Sequence, residues 1–173
     1  TDATYYDGVV GNWLFDDARK DGDTEILEVG TNYYVGLFHS RGREEYKTVD
    51  IRHILITPET GTKAQGDEGY EDEQTQLKAA ARTKAEEILA QWKSGEATED
   101  SFAQLALENS ADGSKYDGGL YTRVTKGWAV EEFNDWCFDA SRKDGDTGIV
   151  DTTYGSHVMY FVGYDLPAWA ASV

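Results

Sequence analysis

One internal repeat constrains this chain more than any other feature. The stretch WLFDDARKDGDTEILEVGTNYYVGLF (Trp13 to Phe38) aligns without a gap on WCFDASRKDGDTGIVDTTYGSHVMYF (Trp136 to Phe161), and both hold the run RKDGDT. A repeated stretch is one supersecondary unit used twice, so it divides the chain before any other reading is made. Each copy reads as the end of a helix, a stop at Asp-Gly, and two strands around a tight turn. Glycine after the last helical residue takes the left-handed conformation that ends a helix. The flanking runs are rich in β-branched and aromatic residues, as strands are.

Around the repeats the pattern alternates between helical and extended periods. Thr4 to Lys20 predicts a helix. Strands are expected at Glu25 to Val29 and Tyr33 to Phe38, joined by Gly30-Thr31-Asn32. Thr48 to Thr57 is the best strand: Val49, Ile51, His53 and Leu55 point one way, Ile54 and Ile56 the other. Glu59 to Glu73 reads as an acidic loop. Gln74 to Lys93 is an amphipathic helix with Leu77, Ala81, Ala85, Ile88 and Trp92 on one stripe. Asp100 is a candidate cap for a helix over Ser101 to Glu108, with Phe102, Leu105 and Ala106 inward. The turn-rich segment Asn109 to Gly119 follows, then a strand to Val124 and a helix over Val130 to Ala140. That helix turns Phe133, Trp136 and Cys137 or Ala140 inward. The final strands are Asp146 to Asp151 and Ser156 to Tyr164. The mixture predicts an α+β fold.

Composition narrows the function. The 173 residues carry 33 acidic and 16 basic side chains, a formal net charge of −17. Nucleic-acid binding needs a basic face and is not expected. Docking on anionic lipid is disfavoured for the same reason. No apolar run approaches the ~18 residues of a membrane span, so no membrane insertion by this segment is expected. The single cysteine, Cys137, excludes an internal disulfide and reads as a buried inert thiol. The acids of the 59–73 loop lack the order of a calcium loop, and no metal or other cofactor is expected. The chain opens on Thr1, and it is expected to be a piece of a longer protein whose export signal or anchor has been removed.

Five segments, in this order, resemble the parvulin family of peptidyl-prolyl cis-trans isomerases: RHILI at Arg52 to Ile56, FAQLALENSADGS at Phe102 to Ser114, GGLYTRVTKG at Gly118 to Gly127, EEFNDWCF at Glu131 to Phe138, and YGSHVMYFVG at Tyr154 to Gly163. The resemblance implies a four-stranded antiparallel sheet with surrounding helices. It divides the chain into a degenerate half-parvulin repeat (1–45), an isomerase domain (46–165) and a C-terminal tail (166–173). The layout resembles membrane-anchored or secreted foldases of Gram-positive bacteria, so an extracytoplasmic site and proline-containing polypeptide clients are expected. The front copy places Tyr34 where His157 stands and has no counterpart of the His53 strand.

The resemblance also assigns roles. His53 and His157 would meet on adjacent central strands, with Asp112, Tyr154 and Thr152 completing a polar patch. Leu120, Trp128, Ala129 and Phe133 would line a proline pocket, with Ala129 standing where the family usually has methionine or another larger apolar residue. Read from the residues alone, His53 is a core histidine on a strand face, Asp112 a turn residue, and Phe133 either core or pocket wall. An X-Pro bond turns over a barrier of about 18–20 kcal/mol set by amide resonance. The implied chemistry is therefore non-covalent: better binding of the twisted amide than of the planar one. The 59–73 loop, with Asp67, Glu68, Glu71, Asp72 and Glu73, would repel phosphate, so clients are expected to be unphosphorylated. The alternative is a parvulin-fold chaperone that binds peptides without catalysis.

Overall fold

The computed structural model describes residues 8–42 and 44–171, which form two compact units divided after residue 43. The first four residues of the helix expected from Thr4 lie outside the described residues, as do the last two of the tail.

The first unit is a helix and a hairpin: α1 (Gly8–Leu14), β1 (Thr24–Val29) and β2 (Asn32–Leu37). Helix α1 stops well before Lys20. The reason is local: the Asp16 carboxylate accepts from the Ala18 amide at 2.9 Å, which captures the backbone into a turn. Trp13, Leu27 and Phe38 form the core of this unit.

The second unit holds β3 (Lys47–Ile56), α2 (Tyr70–Ser94), α3 (Glu99–Asn109), a short 3₁₀ turn (Gly113–Asp117), β4 (Leu120–Val124), α4 (Glu131–Cys137), β5 (Thr147–Thr152), β6 (Gly155–Pro167) and α5 (Ala168–Ala171). Its four strands form one antiparallel sheet in the order β4-β3-β6-β5. Strand alternation gives the sheet two apolar faces. Ile54, Ile56 and Val158 pack under Ala81, Ala85, Ile88, Leu89 and Trp92 of α2 and Phe102, Leu105 and Ala106 of α3. Val49, Ile51, Val150, Met159 and Phe161 pack under Phe133 and Cys137 of α4. The α+β architecture with a four-stranded antiparallel sheet is the one expected.

Four boundaries differ from expectation for identifiable reasons. Helix α2 starts four residues early because Glu71, Asp72 and Glu73 fill its first turn, where carboxylates favour the positive end of the helix dipole. The cap of α3 is Thr98 rather than Asp100: its hydroxyl accepts from the Ser101 amide while Ser101 answers the Thr98 amide, a reciprocal capping box. Helix α4 ends at Cys137, not Ala140, because Asp139 takes up the Ser141 amide at 2.8 Å. Strand β6 continues to Pro167 and pairs it with Lys47, so the first two residues of the expected tail belong to the sheet.

The edge of β3 that β4 leaves open holds the Asn109–Gly119 segment in place. Ala111 donates to the Leu55 carbonyl at 2.8 Å, and the Leu55 amide donates to the Ser110 hydroxyl at 3.0 Å. Arg52 adds a clamp, binding Glu99 at 2.9 Å and the carbonyls of Asp117 and Gly118. Gly119 then crosses close over β3 at a φ of +74°, where a Cβ would run into the His53 carbonyl. Gly119→Ala is therefore expected to lower unfolding stability by about 1–3 kcal/mol, read from urea denaturation, because it combines backbone strain with a backbone clash.

Candidate active site

Each histidine is placed by its strand. His53 on β3 lies opposite Met159 on β6, and His157 lies opposite Leu55. The two histidines are thus diagonal neighbours on one face, the face that α4 covers. Their Nδ1 atoms are 3.1 Å apart and their rings stack with centroids at 5.3 Å. Both are almost fully buried. The Phe133 ring presents itself edge-on to both imidazoles, at 5.6 and 5.3 Å.

The remaining hydrogen bonds fix the protons. The Ser114 hydroxyl and amide both donate to Asp112 Oδ1, and the Tyr121 hydroxyl donates to the same oxygen at 3.0 Å. His53 Nε2 lies 3.3 Å from Asp112 Oδ1 and 3.3 Å from Ser114 Oγ. The carboxylate only accepts, and the serine proton is already committed, so His53 Nε2 carries a proton. A neutral His53 then accepts at Nδ1, and His157 Nδ1–H donates to it. His157 Nε2 is left as a lone pair and accepts from the Thr152 hydroxyl at 2.9 Å. Thr152 in turn accepts from the Tyr154 amide at 3.1 Å. The chain of donors runs one way, from Tyr154 N–H through Thr152, His157 and His53 to Asp112.

Burial lowers the basicity of both rings. For His53 the loss of solvation outweighs the pull of Asp112. For His157 burial comes first and repulsion from His53 adds to it, against the weaker attraction of Asp112 and Asp151. Burial works the other way on Asp112, but the two Ser114 hydrogen bonds, then His53 and Tyr121, overcome it and hold the carboxyl at about 2. The site at neutral pH is two uncharged imidazoles beside one fixed carboxylate. Cys137 takes no part: it is buried, and burial pushes its thiol up to about 12.

These groups line a cavity of about 470 Å³ formed by His53, Asp112, Tyr121, Trp128, Ala129, Val130, Phe133, Tyr154 and His157. Of the expected residues, His53, His157, Asp112, Tyr154, Trp128, Ala129 and Phe133 meet there. Thr152 stands behind His157. Leu120 is the correction: it is half-buried and not among the lining residues, because alternation along β4 turns its neighbour Tyr121 to the histidine face. Tyr121, Val130 and Ser114 are the residues that reading the sequence missed. Ser114 was reachable, since Asp-x-Ser at the start of a turn is a side-chain cap in its own right. Among the described residues no group of three or more His, Cys, Asp or Glu is placed to hold a metal ion.

Comparison with known proteins bears on this geometry. Residues 36–162 match the family described as the PPIC-type PPIase domain. The chain belongs to that family. A curated relative, Foldase protein PrsA 1 of Listeria innocua, is 29% identical over 142 residues, 79% of this chain and 39% of the relative. The chain thus spans about two fifths of the length of the curated relatives it matches. Among solved structures, the peptidylprolyl isomerase PrsA of Bacillus cereus aligns with a TM-score of 0.51 and 23% identity, over 72% of this chain and 38% of that one. A PpiC-type peptidyl-prolyl cis-trans isomerase domain aligns with a TM-score of 0.52 and 20% identity, over 71% of this chain and 95% of that domain. Both carry the same fold.

The proton arrangement is directly observable. At pH 7, ¹⁵N chemical shifts should show His53 protonated at Nε2 and His157 at Nδ1. A buried histidine with a lowered pKa binds fewer protons folded than unfolded, so stability is complete above the ordinary value of 6.5 and is lost as pH falls below it. The melting temperature should decline on acidification from there, with an imidazolium signal appearing only in the same acidic range. An imidazolium pair at pH 7 is incompatible with this network.

Proposed function

We propose that the second unit is a peptidyl-prolyl cis-trans isomerase that accelerates X-Pro rotation in unfolded or secreted clients without covalent chemistry. The observation that carries this reading is the direct Nδ1–Nδ1 contact of the two buried histidines at the floor of the cavity, 3.1 Å long, with Phe133 against both rings. His53, His157 and Asp112, with Thr152 and Tyr154 orienting them, form its polar side. Phe133, Trp128, Ala129 and Val130 form the apolar side that suits a proline ring. In this reading residues 46–165 carry the activity.

The electrostatic logic follows from amide resonance. A planar amide puts negative charge on its carbonyl oxygen, and twisting the bond removes part of it. A fixed anion near that oxygen raises the planar form more than the twisted one, and this difference is what lowers the barrier. Asp112, held ionised at about 2, supplies such a charge across the whole working range of pH. Neutral histidines leave that charge uncompensated.

The acidic stretch 59–73, a loop that runs into the first turn of α2, supports unphosphorylated clients. Its one lysine, Lys63, donates to the Glu68 carbonyl 2.8 Å away, and its carboxylates outnumber it. The layout that resembles secreted or membrane-anchored foldases, together with the foldase names of the Listeria relatives, supports a site of action outside the cytoplasm, at a Gram-positive cell surface. No helix among the described residues is long and apolar enough to cross a membrane.

A protease-coupled assay on X-Pro peptides tests the proposal. His157→Ala should lower kcat/KM at least about tenfold, equivalent to ~1.4 kcal/mol of lost preference for the twisted amide. A wild-type rate equal to the uncatalysed one, with peptide binding intact, would reassign the unit as a peptide-binding chaperone module. The rate should be flat from pH 8 to about 6 and fall only below, because protonating either ring sets a cation against Asp112. Replacing serine by phosphoserine before proline should slow turnover, and faster turnover of the phosphopeptide would refute the client assignment.

A further inference from the structure

The repeat extends from sequence to hydrogen bonds. Helices α1 and α4 occupy matching positions, as do β1 and β5, and β2 matches the first part of β6. Gly22 donates to the Phe38 carbonyl at 2.8 Å, as Gly145 does to Phe161. Arg19 Nε reaches the Trp13 carbonyl at 3.2 Å, as Arg142 Nε reaches Trp136 at 3.1 Å. Each arginine also lies over the ring of its tryptophan. The face under the helix is filled alike, by Leu27 and Phe38 in one copy and Val150 and Phe161 in the other.

The opposite face differs. In the second unit Ile149, Val158 and Tyr160 pack beneath α2 and α3, and Val158 is fully buried. Their counterparts Ile26, Val35 and Leu37 are 68%, 81% and 66% exposed. The strand edge differs too: β6 pairs with both β5 and β3, whereas β2 pairs only with β1 among the described residues. Strand β2 reads NYYVGL, with no charge and no proline, the devices that normally protect an open edge.

We propose that this edge and face are a docking surface for a polypeptide segment with the chemistry of residues 47–94: an extended strand of alternating apolar residues that pairs with β2, followed by an amphipathic helix that lays an Ala/Ile/Leu/Trp stripe over Ile26, Val35 and Leu37. The second copy of the motif states what covers this surface, because β3 and α2 do so there. A second molecule of this chain fits less well. Pairing β2 with its own copy would join two bare apolar faces side by side and cover neither. A strand alone would satisfy the edge and leave the face exposed. The surface belongs to the first unit, so the inference stands whether or not the second unit is catalytic.

The test uses the full chain and, as probe, a labelled peptide with the sequence of residues 46–94, carrying Pro58→Ala so that it presents no X-Pro bond. Saturable binding is expected, with new hydrogen-exchange protection over residues 33–37. Val35→Asp should weaken binding by about tenfold or more, since it sets a carboxylate beneath the docked helix. Val35 is exposed, so the variant should fold, and its rate on X-Pro peptides should equal wild type. Absence of binding, equal binding of a scrambled peptide, or undiminished binding to Val35→Asp would each overturn the proposal. So would a dimer in sedimentation that Val35→Asp dissolves, which would give the surface to a second copy.

Discussion

The register between β3 and β6 is the constraint on which the site depends. It sets Leu55 against His157 and His53 against Met159, so the two histidines fall diagonally on one face. A one-residue slip would send one ring to the α2 face and separate the pair. Several features hold that register. Ile51, Ile54, Val158 and Phe161 are fully buried on alternating faces, so both faces resist a slip. Thr48 adds a hydrogen bond to the Leu166 carbonyl at 2.9 Å, at the far end of the same ladder. The geometry of the histidine pair is therefore written mostly in apolar residues that lie outside the cavity.

Much of this was legible in the chain. The period-2 pattern of Thr48 to Thr57 located β3 and sorted its residues onto the right faces. The stripe on α2 and the inward residues of α3 were read correctly, because periodicity reports burial directly. What failed was finer. Helix ends at Asp16 and Asp139 depend on an aspartate capturing an amide two residues on, a contact worth little in a hydrophobic pattern. The resemblance implies Leu120 for the pocket, whereas it is Tyr121 that lines the cavity. Which of two neighbours faces the site is fixed by the pairing of β4 with β3, and that pairing is long-range. Ser114 carries a local signal in its Asp-x-Ser turn, but that signal does not say that its hydroxyl proton goes to Asp112 and leaves His53 Nε2 to carry its own.

The two copies of the motif separate fold from chemistry. What they share is the arginine over the tryptophan, the Asp-Gly stop and the hydrogen bonds that tie it to the last strand. These features close a helix onto a hairpin and would be needed with or without a substrate. What they do not share is His157 and its setting. Tyr34, at the matching position, is half exposed and lacks a β3 partner. Among the described residues β2 has no neighbouring strand in the place of β3 to carry a second ring.

The apolar wall of the cavity combines two kinds of support. Phe133 is fixed: it is buried on α4, whose Cys137 one turn later is fully enclosed. Trp128 is half exposed and lies beyond the start of α4, with its ring 4.7 Å from Tyr121 and 6.4 Å from Phe133. Ala129 between them fills little space. The wall is thus rigid next to the histidines and built of a large, partly solvated ring farther out. In the proposed role, a proline ring packed on Phe133 would meet a firmly held surface, which favours discrimination between planar and twisted amides. The residues flanking that proline would meet an indole with solvent on one side. Such a surface gains apolar contact area from many side chains and hydrogen-bonds few of them, which under the proposed function would admit varied clients while the geometry beside the histidines stays fixed.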